Sequence, residues 1–238
     1  MPEALEISHL RGQGGAVAAR GLTVLIDVLR AFTTAAYAFA GGAREIVLVR
    51  TVEEAFALRQ RFPDALLIGE VGGRHVPGFD LNNSPTLMER SDVEGRRLIQ
   101  RTGAGTQAVL GAADADERVL GSLVVARATV AYVRTRAPAR VSLVSTNAED
   151  GPLNEDDACA RYLGDLLRGA TADAPAVISD VRTAARERLL HERLGADFPA
   201  TDVDLATAID RFSFAMRVER VELTGDGTLN LVARRVDP

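Results

Sequence analysis

TVLIDVLRAFTTAAYAFAGG, residues 23–42, decides how the rest of the chain is read. Residues 23–29 form an apolar run broken by one carboxylate, the pattern of a strand covered on both faces. The second half, rich in Ala, Thr, Phe and Tyr, closes on Gly41-Gly42 and predicts a helix ending in glycine. A buried strand leading straight into a helix is the repeating unit of an α/β sheet. Asp27 and Arg30 stand at the junction, where a charge is costly unless it is paired or bound to something.

The same alternation continues outward. EIVLVR (45–50), ALLIGE (65–70), RRLIQRT (96–102), RVLGSL (118–123) and RVSLVSTN (140–147) read as strands. The intervening TVEEAFALRQRF, GTQAVLGAA and VVARATVAYVRTRA read as helices, as does NEDDACARYLGDLLRG after the last strand. Thr51 with Glu54, and Asn154 with Asp157, have the spacing of helix N-terminal caps. Beyond residue 170 the pattern changes to helical ARERLLHERLG and DLATAIDRFSFAM. It ends in VERVELTGDGTLNLVARRV, a β-hairpin with Gly225-Asp226-Gly227 at its turn. The expected fold is a three-layer α/β/α arrangement with a largely parallel or mixed sheet, a C-terminal helical segment and a hairpin. Residues 1–238 are read as one domain, with a subdivision near residue 171 as the alternative.

Composition narrows the function. The 238 residues are 47% hydrophobic and 26% charged, with a formal net charge of -5. Such a chain has no global basic field for nucleic acid or an anionic membrane. The local basic run RTRAPAR (134–140) lacks interleaved aromatics and reads as a solvated helix end. A single cysteine, Cys159, excludes an intrachain disulfide and a cysteine-based zinc cluster. It lies in a helical pattern and reads as a small buried hydrophobe. There is no apolar leader in MPEALEISHLRGQGG and no membrane-length apolar run, so a cytoplasmic protein is expected.

The polar residues fall at strand ends. Besides Asp27 and Arg30 they are Glu70, Arg101, Thr102, Ser122, Thr146 and Asn147. In open parallel sheets ligands bind outside the carboxyl ends of the strands, so these residues are expected at one edge. The long loop VGGRHVPGFDLNNSP (71–85), with Asn83 and Ser84, belongs to the same edge. Asp27, Glu70, Asp80 and the run Glu155-Asp156-Asp157 offer hard oxygen ligands. Without clustered histidine or cysteine, such ligands suit magnesium rather than zinc. Arg30 and Arg101 supply forked donors for phosphate or sulfonate. Thr33 and Thr34 open one helix, and Thr102-Gly103-Ala104-Gly105-Thr106 precedes another; helix starts accept anions.

These pieces have plainer readings too. The TGAGT turn has neither the lysine of a Walker motif nor a dinucleotide fingerprint. The acidic run could simply favour a helix dipole. His75 could protonate a leaving group or sit idle on a loop. Leu29 stands where a haloacid dehalogenase would need a second aspartate, so a covalent aspartyl-phosphate has no support.

DVLRAFTT, GEVGGRHVPGFDLNNSP, TGAGT followed by QAV, GSLVVARA and NEDDACARYL together resemble the 2-phosphosulfolactate phosphatase family over roughly residues 22–170. A weaker echo lies in DRFSFAMRVER. The resemblance implies a magnesium-dependent α/β phosphatase of the kind that releases sulfolactate on the route to coenzyme M. It implies roles for Asp27, Arg30, Glu70, the Asn82-Asn83-Ser84 turn, Thr106 and the pair Glu155-Asp156. Asp27, Arg30 and Glu70 are then the catalytic candidates, and Asp27, Glu70 and Asp156 the metal ligands. The substrate-binding set is Thr33, Thr34, Asn83, Ser84, Arg101, Thr102, Gly105, Thr106 and Ser122. One departure stands out: the family commonly shows Thr-Thr-Asn-Gly-Thr where this chain has Thr102-Gly103-Ala104-Gly105-Thr106. The expected partner is a small acidic phosphorylated metabolite, with no nucleic acid and no membrane; a homo-oligomer is allowed. The competing expectation is a non-catalytic module that binds a phosphorylated or sulfonated metabolite.

Overall fold

The computed structural model describes residues 5–147, 154–192 and 195–238. The chain begins β1 (Glu6–Arg11), α1 (Gly12–Ala18), β2 (Leu22–Ile26), α2 (Ala31–Ala40), β3 (Glu45–Leu48), α3 (Val52–Arg61) and β4 (Leu66–Val71). Next come two short strands, β5 (Arg74–His75) and β6 (Leu81–Asn82), then α4 (Pro85–Glu89), β7 (Arg97–Arg101) and α5 (Gly105–Gly111). They lead to β8 (Glu117–Gly121), α6 (Ala126–Arg136), β9 (Arg140–Ser145) and α7 (Glu155–Arg168). The last elements are α8 (Ala174–Glu192), α9 (Thr201–Ala206) and the hairpin β10 (Ala215–Glu222) and β11 (Leu229–Val236).

The expected α/β/α layering is present, around a mixed sheet. Strand order is β1-β9-β2-β8-β10-β11-β3-β7-β4-β5, with β6 beside β4. Side chains alternate between faces as a strand's two-residue period requires. Leu25, Leu120, Leu98, Met216 and Ala233 point to an inner core shared with α2 and α5. Val24, Ile26, Val119 and Leu143 point outward to α6, α7 and α8. Val47, Leu67, Ile99 and Val232 point outward to α3.

β1, β9, β2 and β8 are mutually parallel. The hairpin pairs antiparallel with β8 on one side and β3 on the other. β3, β7 and β4 therefore run opposite to the first group while remaining parallel to one another. In a flat sheet the carboxyl ends of the two groups would lie on opposite edges. Here they meet, because a twisted sheet of this width coils. It coils around α2, nine of whose ten residues are buried. The alanines and threonines of AFTTAAYAFA keep that helix narrow enough to be enclosed, and Phe32 and Phe39 fill the space beside it.

Three local readings change. The first strand stops at Ile26 rather than Leu29. The Asp27 N–H donates to the Gly121 carbonyl at 3.2 Å, and Asp27 Oδ1 accepts the Ala31 N–H at 2.9 Å, which turns the chain into α2. DLATAIDRFSFAM is helical only through Ala206. Beyond it, Phe212 and Phe214 alternate into the inner core, edge-on to Tyr37 and Phe39 with centroids 5.0 and 6.4 Å apart. β1 and α1 carry no clear sequence signal, since EISHLR is a half-exposed edge strand without a clean alternation. Both caps are present: Thr51 accepts the Glu54 N–H, and Asn154 forms a complete capping box with Asp157. Two readings touch residues outside the described ones, the leader at 1–4 and the end of ARERLLHERLG at 193–194. No helix among the described residues is long and apolar enough to cross a membrane.

Gly69 shows how tightly β4 and β7 approach. Its φ is +134°, and a Cβ there would stand 1.8 Å from the Arg101 carbonyl oxygen. Gly72, at φ +59°, has nothing within 4 Å of its Cβ position. Gly69→Ala is expected to destabilise by at least about 3 kcal/mol and Gly72→Ala by only about 1 kcal/mol. Urea unfolding of the two variants checks the contrast.

Candidate active site

The coiling of the sheet opens a cavity of about 230 Å³ among the strand ends. Asp27, Leu29 and Arg30 line it from the β2–α2 turn, in which the Leu29–Arg30 peptide is cis. Glu70 and Gly73 come from the end of β4, Asn83 from the long loop, and Gly103 and Ala104 from the β7–α5 turn. Asn147 follows β9, and Phe198 is contributed by the segment before α9. Four of the residues picked out as catalytic or binding thus share one wall: Asp27, Arg30, Glu70 and Asn83.

Arg30 is only 4% exposed, and a buried cation requires partners. Its Nη1 donates to Asp202 Oδ2 at 2.8 Å and to the Asp197 carbonyl at 2.6 Å. Nη2 reaches the Gly73 carbonyl at 3.3 Å, and the guanidinium lies 4.3 Å from the centre of the Phe198 ring. Asp202 is itself fully buried, and its Oδ1 accepts from Ser84 Oγ at 2.7 Å and the Thr86 N–H at 3.1 Å.

The Glu70 carboxylate clasps two glycine turns. Oε2 accepts the Gly73 N–H at 2.6 Å, and Oε1 accepts the Gly103 N–H. Asp27 presents Oδ2 toward the next turn, where a Cβ on Gly105 would stand 2.7 Å away. Only glycine leaves room for that carboxylate. Asn83 has a buried Oδ1 with no hydrogen-bond donor among the described residues.

The remaining candidates lie behind the wall. Thr33 donates to the Val28 carbonyl at 2.7 Å and pairs with Ser122 Oγ at 2.6 Å, and both residues are fully buried. Thr34 is buried in α2. Thr102 and Thr106 close the TGAGT turn on each other: the Thr106 N–H donates to Thr102 Oγ1 at 3.0 Å, and the Thr102 N–H to Thr106 Oγ1 at 2.9 Å. Ser84 caps α4, accepting the Leu87 N–H, and Arg101 Nη1 donates to the Glu70 carbonyl at 2.7 Å. These seven shape the site from outside the cavity.

The acidic candidates divide in the same way. Asp156 Oδ1 accepts the Val28 N–H at 2.8 Å and Oδ2 the Asn147 side chain at 2.7 Å, which braces the Asp27 turn from behind. Asp157 completes the α7 cap and pairs with Arg11 at 3.1 Å. Asp80 is a correction: it binds Arg59 at 2.6 Å and the Leu67 N–H at 2.7 Å, off the cavity wall. Among the described residues no three acidic, histidine or cysteine side chains gather as a metal site. Asp27, Glu70 and Asp156 are therefore not assembled as a cage. His75 is exposed and off the wall. Cys159 is fully buried, and burial pushes its thiol pKa well up, away from nucleophile chemistry.

A model of the 2-phosphosulpholactate phosphatase family matches residues 11–218. The chain belongs to this family. It is 38% identical over 165 residues to a Bacillus subtilis (strain 168) protein named "Probable 2-phosphosulfolactate phosphatase", over 69% of this chain and 72% of that one. A Deinococcus radiodurans protein of the same name is 42% identical over 140 residues, 58% of either chain. One from Symbiobacterium thermophilum is 36% identical over 168 residues, covering 70% and 71%.

For this 2-phosphosulpholactate phosphatase family member, sequence reading missed Asp202, Asp197 and Phe198. They arrive from a segment with no motif, and Asp202 reads simply as an acid in the first turn of a short helix. Asp202→Ala leaves the Arg30 charge buried without its carboxylate, at an expected cost of about 3–5 kcal/mol. Replacing both partners, Arg30→Met with Asp202→Leu, is expected to recover most of that loss in urea unfolding. A double variant no more stable than Asp202→Ala would show that the ion pair is not what Asp202 contributes.

Proposed function

We propose that the chain is a magnesium-dependent phosphatase acting on a small acidic phosphate ester, 2-phosphosulfolactate or a related phosphorylated hydroxy acid. The observation that carries this reading is the cavity in which Asp27, Glu70 and Arg30 face one space, in a member of this family. Those three are the ionisable side chains among its described lining residues, and two of them are negative. Arg30 is already balanced by Asp202. A phosphate dianion entering there needs additional positive charge.

The donor set fits magnesium. The ion commonly takes one or two carboxylates and completes its shell with water and substrate oxygens, so a three-acid cage is not required. Asp27 and Glu70 are the proposed holders, and Asn83 Oδ1 is a buried acceptor suited to an ordered water or a substrate hydroxyl. When bound, the metal supplies charge for the phosphoryl oxygens and lowers the pKa of a coordinated water. Arg30 faces the phosphate, held by Asp202, Asp197 and Phe198 so that little side-chain freedom is lost on binding. Glu70 is the proposed proton acceptor. Its two backbone bonds fix the carboxylate, while each oxygen keeps a second lone pair.

EDTA is expected to abolish phosphate release from a panel of small esters, and magnesium to restore it. Asp27→Asn should weaken magnesium binding measured by calorimetry and cut kcat by at least about 10²-fold. Full turnover after exhaustive chelation would remove the metal from the reaction.

A second reading, a module that binds its ligand without turnover, draws on Gly103 and Ala104, which line the cavity without a side-chain donor. A Cβ at position 103 would stand 3.3 Å from Glu70 Oε1, so a larger residue fits if Glu70 yields slightly. Gly103→Thr with Ala104→Asn is expected to change the preference among esters by about 1–3 kcal/mol in kcat/KM. Binding of an ester with no hydrolysis, by both parent and variant, would favour the module.

A further inference from the structure

A second charged hollow lies at the amino end of β8, away from the carboxyl-end cavity. The β8–β10 ladder stops at Arg118 opposite Val218, while β10 continues to Glu222. The notch so formed has a volume of about 530 Å³, and Ala113, Ala115, Arg118, Val218 and Arg220 are among its walls. Arg220 lies two residues beyond Val218, on the same face as Arg118 and diagonal to it across the strands.

Arg118 is 7% exposed, yet its side chain makes one hydrogen bond among the described residues, Nη2 to the Ala113 carbonyl at 2.9 Å. Its Nε is buried without an acceptor. Neither Arg118 nor Arg220 has an ion pair among the described residues. The nearby carboxylates are engaged elsewhere: Glu117 with Arg136 at 3.0 Å and Arg217 at 3.2 Å, and Glu219 with Arg217 at 3.3 Å. Asp116 is a third lining carboxylate, exposed and without an ion pair among the described residues. Burial, followed by the charge of Arg220, holds the Arg118 pKa below its ordinary value, but a guanidinium does not give up its proton. Two adjacent cations, one buried and only partly hydrogen-bonded, are a costly arrangement unless an anion completes it.

We propose that this notch is an oxyanion site in which Arg118 and Arg220 together bind a phosphate group. Forked guanidinium donors match the oxygens of a tetrahedral anion, and two forks on neighbouring strands hold it from two sides. The site is distinct from the carboxyl-end cavity and does not depend on the phosphatase reading.

The test is calorimetric titration of the full chain with inorganic phosphate, and separately with glycerol phosphate. EDTA is present throughout, and chloride at equal ionic strength is the control. Saturable phosphate binding is expected, weakened at least tenfold in Arg220→Gln and lost in Arg118→Gln. Ester hydrolysis at low phosphate should be unchanged in Arg220→Gln. Binding of glycerol phosphate as well as inorganic phosphate would identify an ester as the ligand; binding of inorganic phosphate alone would identify the free anion. Absence of saturable binding, equal competition by chloride, or unaltered affinity in Arg220→Gln would overturn the proposal. Should Arg118→Gln fail to fold, Arg220→Gln decides alone, because that side chain is exposed.

Discussion

The buried ion pair between Arg30 and Asp202 joins residues 172 positions apart and fixes how four segments meet around the cavity. Asp202 also receives Ser84 and Thr86, and Arg30 also holds the carbonyls of Gly73 and Asp197. Desolvating two charges costs several kcal/mol per ion, so such a pair is tolerated only when further hydrogen bonds complete both groups. That condition is met on each side. The pair is better understood as a device for placing segments than as a source of stability. Through Arg30, the loop of residues 71–85 and the segment leading into α9 are both anchored on the β2–α2 turn.

The second constraint is the enclosure of α2. A helix buried on every side must be thin, and its sequence of alanines and threonines meets that demand at the cost of burying hydroxyls. Thr33 offsets this cost by bonding to Val28 and Ser122, whereas Thr34 Oγ1 is buried with no hydrogen-bond partner among the described residues. The same enclosure brings the ends of two oppositely directed strand groups to one place. Asp27 and Arg30 from one group consequently face Glu70 and Gly103 from the other.

Much of this was legible in the residues. The continuous apolar runs identify the core strands, and Thr51 and Asn154 mark helix starts through local hydrogen-bond chemistry. Asp27, Arg30 and Glu70 stand out because polar groups at the ends of buried strands need a partner, and Asn83 because it lies in the long loop at the same edge. Other polar residues have a local structural partner that residue type does not announce: Thr102 and Thr106 bond to one another, Asp80 to Arg59, and Ser84 to its own helix. Asp202 was illegible for the opposite reason. Its partner is remote in sequence, and an acid in a helix's first turn needs no special cause. The hairpin is legible from its turn, but its pairing with β8 and β3 depends on long-range packing, which local sequence does not encode.

The position of that hairpin has consequences for assembly in time. Residues 215–236 are synthesised after the other described strands, yet they form the centre of the sheet. Until they arrive, β8 and β3 each present an open edge, and no backbone hydrogen bonds among the described residues link the two parallel groups. Open edges invite pairing with other chains. The nascent protein must therefore keep two half-sheets apart from strangers until the piece that joins them arrives, because vectorial synthesis supplies the hairpin after both.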